Sequence, residues 1–167
     1  MRKNAIQKNV VKGFTLIELV VTVVIVAILG SAVLPMMQLN VKRAKESELR
    51  SDLIQIREAI DAYKKASDDG RIKKSIEQSG YPPNLEILVN GVADEKDINK
   101  KKIRFLRRIP ADPLHINAPN NSLDNAYEWG LRSYQSEAKN PTAGEDVYDV
   151  YSLSSEAGIN GIPYAQW

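Results

Sequence analysis

From Phe14 to Leu34 the chain runs for 21 residues with Glu18 as the single charged side chain. A hydrocarbon layer of roughly 30 Å is crossed by about 20 apolar residues in a helix, so this run is long enough to span a bilayer. Whatever else the chain folds into is therefore attached to a greasy N-terminal helix. A charge inside such a span costs on the order of 2.5 to 3.5 kcal/mol on insertion scales. Glu18 consequently calls for a cation or a proton.

Arg2, Lys3, Lys8 and Lys12 precede the run, with no acidic residue among them. One plain reading is a secretory signal peptide, but such cores run about 7 to 15 residues, lack acids and close on a small-x-small cleavage site. Here the run is longer and ends Ala32-Val33-Leu34-Pro35. A plain membrane anchor accounts for the length, yet not for an acid falling five residues after the Gly that closes the basic segment.

Lys12-Gly13-Phe14-Thr15-Leu16-Ile17-Glu18 resembles the class III signal sequence of type IV pilins and type II secretion pseudopilins. The resemblance implies a leader, residues 1–13, cut after Gly13 by a prepilin peptidase, with methylation of the new amine on Phe14. It also implies a partner for Glu18: the Phe14 amine of a neighbouring subunit, whose attraction to the carboxylate is far stronger at low dielectric than in water. Removing one half of a buried pair generally costs about 3 to 5 kcal/mol.

Length allows one small head beyond the anchor. The formal charge of +2 belongs to the whole chain; without the four leader cations, 19 basic side chains face 21 acidic ones. No basic nucleic-acid face is implied. Cysteine is absent, so no disulfide staples the head. Many type IV pilins carry a disulfide loop near the C-terminus, whereas the major secretion pseudopilins that this chain resembles usually do not.

The basic leader places the N-terminal end in the cytoplasm by the positive-inside rule, and the remainder outside. Gly30 and Pro35 weaken the helix, and the proline predicts a kink, since it removes an amide donor and crowds the preceding turn. Past Pro35, the spacing of Leu49, Leu53, Ile56, Ile60 and Tyr63 predicts an amphipathic helix over residues 35–66, closed by Ser67-Asp68-Asp69-Gly70. Tyr81-Pro82-Pro83 fixes an extended turn, residues 84–89 read as a short helix, and 94–102 as a solvated, charged connector. Arg104 to Pro113, with two prolines and an Asp112 able to bond its own backbone, resembles the turn that leads into the sheet of the major pseudopilins. Aromatic and β-branched residues over 127–134 and 146–153 predict antiparallel strands. Trp129 and Trp167 read as core or helix-covering aromatics. The tail, 154–167, reads as a structured loop held by Trp167, Tyr164 and Ile162.

The expected fold is α+β: a long N-terminal helix, membrane-spanning over 14–34 and amphipathic over 35–66, packed on a small C-terminal antiparallel sheet within a head spanning 67–167. The lone His115 gives no basis for a zinc site. No nucleophile triad, phosphate loop or metal quartet is present in the sequence, so an anchored enzyme has little behind it, and an anchored binding module is permitted by the aromatic strands without being required. The resemblance implies a structural subunit of the type II secretion pseudopilus, with a type IV pilin or minor pilin as the alternative. Its implied partners are copies of itself in a helical filament, minor pseudopilins, the prepilin peptidase, and the inner-membrane assembly platform with its ATPase. The implied location is the bacterial inner membrane, single-pass, with the head in the periplasm. Major pseudopilins usually bind calcium in an acidic loop after the last strand, and this chain departs from that pattern. Asp149 and Glu156 are the candidate ligands that remain. The expectation is a head that folds with no cofactor.

Overall fold

The computed structural model describes residues 13–115 and 128–167; within the first helix, nothing is described of the side chains of 32–35. The leader before Gly13 and the predicted strand residue Tyr127 lie outside this range. So do the side chain of Pro35 and the kink expected there.

Helix α1 runs from Leu16 to Asp68, 53 residues, close to the bounds expected from the apolar run and the stripe after it. It belongs to two compact units, one ending at Val41 and the other beginning at Lys42. In the first, the apolar side chains on every side of the helix are exposed, from Phe14 and Leu16 through Leu29 to Val41, while its backbone remains helical across Gly30. A helix apolar all round has no core of its own to cover and needs lipid or other helices around it.

In the second unit the stripe faces inward: Leu49, Leu53, Ile56, Ile60 and Tyr63 are all buried, joined by Ala59 and Ala66. Each large apolar side chain so buried contributes about 1.5 to 3 kcal/mol. The helix ends where Gly70, at φ 68°, turns the backbone left-handed. There Gly70 N–H donates to Ser67 O and Arg71 N–H to Ala66 O, the paired closing bonds that satisfy the last carbonyls.

Helix α2, Glu86–Asn90, follows the Pro82-Pro83 turn and buries Leu88 against the stripe, whose carbonyl accepts both Phe105 and Leu106 N–H groups. Gly91 comes next at φ 77°, with Ile103 O and Arg104 Cγ so near that an added Cβ would stand within 2.8 Å of both. That close approach brings β1, Val92–Ala93, beside β2, Lys102–Ile103, antiparallel. The charged segment read as a solvated connector is thus the loop of a small hairpin. Asp94 in it is buried and paired with Arg71 at 2.6 Å, because the end of α1 lies alongside.

The Arg104 to Pro113 turn is locked from three sides. Asp112, buried, accepts Leu114 N–H at 2.9 Å, its expected local bond, and also the Ser152 hydroxyl at 2.5 Å, while Trp129 Nε1–H donates to Pro110 O. Strands β3, Gly130–Arg132, and β4, Asp149–Tyr151, pair antiparallel with Leu131 opposite Val150. Both are shorter than the predicted runs. Their aromatic flanks go elsewhere: Tyr134 and Tyr148 join Tyr81 in a ring cluster, and Val147 N–H leaves the strand to bond Pro82 O. The architecture is α+β, a long helix packed on a small antiparallel sheet.

Candidate processing and assembly site

Thr15 starts α1. Its Oγ1 accepts the Glu18 N–H at 3.3 Å and its carbonyl accepts Leu19 N–H at 3.2 Å, so the N-cap is a threonine with a glutamate three residues on. This arrangement satisfies one orphan donor and sets the acid in the first turn, where the helix dipole favours negative charge. The signal for it in the sequence is Thr-x-x-Glu ahead of an apolar run, a cap not among the expectations for this segment. Phe14 is 82% exposed, and Glu18 makes no ion pair with any described residue. Gly13 sits just before, with no atom within 4 Å of where a Cβ would be. Nothing in the described chain requires glycine at position 13 for space.

The second cluster joins the polar face of α1 to the tail. Arg57 donates through Nε to Asp149 Oδ1 at 2.7 Å, and through Nη2 to the backbone oxygens of Val150 and Trp167. Lys42 Nζ donates to Ala157 O at 2.8 Å. Glu46 Oε1 accepts Ile159 N–H and the Tyr164 hydroxyl. The Arg50 guanidinium lies 4.7 Å from the Trp167 ring centre. Tyr164 is fully buried, and burial followed by the Glu46 hydrogen bond pushes its phenol up to about 12. Ile162 is different: its side chain, expected to pack inward, is 45% exposed. The contribution of Ile162 is its carbonyl, which accepts Gly158 N–H and Trp167 Nε1–H and so closes the tail turn.

A family model described as the prokaryotic N-terminal methylation motif matches residues 8–34, the span holding Gly13, Phe14 and Glu18. Three relatives are each named type II secretion system core protein G. The Klebsiella pneumoniae protein is 32% identical over 61% of this chain and 68% of its own length. The Vibrio cholerae protein is 32% identical over 60% and 64%, so the match spans a little under two thirds of that relative. The Pseudomonas aeruginosa protein is 30% identical over 93% of this chain and 91% of its own length. The chain belongs to the type II secretion core protein G family, the major pseudopilins. No solved structure matches it.

For a major pseudopilin, the motif and the apolar first part of α1 fit a single-pass inner-membrane anchor. The calcium that the resemblance implies for the tail does not fit the residues present. Asp149, one of the two candidate ligands, is engaged by Arg57 and lies 3.7 Å from an Arg132 nitrogen. Glu156 is exposed and has no hydrogen-bond partner for its carboxylate among the described residues. Among the described residues no three His, Asp or Glu side chains gather in a group able to hold a metal ion. His115 stands 3.9 Å from Glu128, a single pair.

Proposed function

We propose that this pseudopilin is a structural subunit, without catalytic activity, that polymerises at the inner membrane into a periplasmic filament driving protein export. The observation carrying this is the first part of α1, apolar on all sides, left exposed by the described residues, and bearing one carboxylate in its first turn. Lipid covers such a surface while the subunit is stored in the membrane, and neighbouring helices cover it in a filament. Glu18 is the piece that distinguishes the two states. Cleavage after Gly13 frees the Phe14 amine, and a neighbour's amine supplies the cation that the carboxylate lacks among the described residues; a pair with the chain's own Phe14 amine, one turn away, is the rival arrangement and would not order neighbours. Methylation leaves that amine charged.

Docking amine to carboxylate inside an apolar layer fixes the axial offset between successive subunits, because other registers leave both charges uncompensated there. Copies of the chain are thus the principal partner. The prepilin peptidase, minor pseudopilins, assembly platform and secretion ATPase act on or with the same N-terminal region, and the head faces the periplasm.

The test compares Glu18→Ala and Glu18→Gln with the unmodified chain. Both variants are expected to be cleaved after Gly13, to insert and to keep the head's thermal midpoint, while filaments and secretion are lost. Normal filaments from Glu18→Gln would overturn the reading, since that substitution removes the charge at nearly constant shape.

A further inference from the structure

We infer that α1 itself supplies the cations that fix the tail, so that Lys42 and Arg57 do in this chain what a bound divalent ion does in a calcium-dependent head. A hard divalent cation gathers carboxylate and carbonyl oxygens at one point. In this chain such a set, Asp149 Oδ1, Val150 O and Trp167 O, converges on one guanidinium and ties β4 to the last residue. The Ala157 carbonyl, in the middle of the tail, is taken by the Lys42 ammonium. Glu46 lies between them on α1 and reverses the polarity: it draws the Ile159 amide and the Tyr164 hydroxyl toward the helix, donors that would repel a metal ion.

Lys42, Glu46 and Arg50 are four residues apart and Arg57 falls two turns further on, so one helix face carries the whole set. Around Asp149 and Glu46 stand Lys42, Arg50, Arg57 and Arg132. An incoming divalent ion meets Asp149 already engaged by Arg57 and Arg132, and Glu156 is the one candidate carboxylate without a partner among the described residues. Space is restricted as well: a Cβ at Gly158 would come within 2.6 Å of both the Trp167 ring and the Asn160 side chain. Being covalently part of the chain, these cations hold the tail at any calcium concentration and cannot be chelated.

The mature full chain in detergent is the sample. Thermal midpoints are measured in millimolar calcium and in chelator, with hydrogen exchange read over residues 154–167. The midpoint is expected to be the same in both buffers. Arg57→Gln should raise exchange in the tail by about tenfold or more, as loss of bonds to a charged group requires, with calcium failing to restore protection and Arg57→Lys falling between. If Arg57→Gln does not fold, Lys42→Met carries the same test at the Ala157 end alone. A midpoint that rises in calcium and falls in chelator, or tail exchange unmoved by both substitutions, contradicts the inference.

Discussion

The buried Asp112 shows how a single side chain can join two distant segments. One oxygen takes the Leu114 amide and the other the Ser152 hydroxyl, tying the proline-rich turn to the residue that follows β4. Ser152→Ala leaves that oxygen buried without its donor, and a loss of about 1 to 3 kcal/mol is expected, read as a lower denaturant midpoint at unchanged slope. Asp146 contributes to stability at the acid end. Burial raises its pKa, but hydrogen bonds from the Ser79 hydroxyl, Tyr134 N–H and the Ser133 hydroxyl outweigh burial and hold it below the usual carboxylate range. A depressed carboxylate contributes stability that is present above its unfolded pKa and lost as pH falls through the folded one. Stability measured as pH drops from about 4 should therefore decline, and Asp146→Asn should flatten that limb. Tyr164 works at the other end: its phenol, raised to about 12, contributes stability present below the unfolded value near 10 and lost as pH rises toward 12. Tyr164→Phe should reduce the alkaline loss, with Tyr63 and Tyr81, also raised by burial, keeping the rest; a spectroscopic titration showing Tyr164 ionising with the free amino acid contradicts it.

At the scale of elements, α1 was legible because its pattern is strong. The four-three spacing from Leu49 to Tyr63 could only be satisfied by a helix with one buried face, and all five positions are buried. Ile56→Ala should cost about 2 to 5 kcal/mol, the range for truncating a fully buried aliphatic. The helix end was equally legible, since Gly70 takes a left-handed φ that other residues adopt at a cost of roughly 1 to 2 kcal/mol; Gly70→Ala should lower the denaturant midpoint accordingly. The β1–β2 hairpin was not legible. Two-residue strands carry no alternation, and what makes the hairpin is Gly91's close approach to Ile103 with Asp94 held by Arg71, contacts between residues far apart in sequence. The strand pair was predicted, but its length was overread, because the aromatic residues that signalled strand serve a tyrosine cluster instead. Residues 42, 46, 50 and 57 carry no signal of a partner in the sequence. Only the returning tail shows them bonded to it, and only then does Asp149 become the partner of an arginine.

Across the whole molecule, labour is divided between a first part of α1 whose described side chains stay exposed and a second part that completes the head. The second part has a core and closed helix ends of its own. The membrane part is incomplete by itself, and its incompleteness is concentrated in Glu18. Absence of cysteine makes the central claim directly measurable, because any introduced thiol is unique. One copy carrying Leu16→Cys and another carrying Leu19→Cys are expressed together in membranes and treated with a short bifunctional thiol reagent. An offset that docks one subunit's Phe14 amine on another's Glu18 predicts a mixed cross-linked dimer in preference to either like-with-like pair, and its loss in the Glu18→Gln background. Equal cross-linking of mixed and like pairs, or a mixed dimer undiminished by Glu18→Gln, contradicts it.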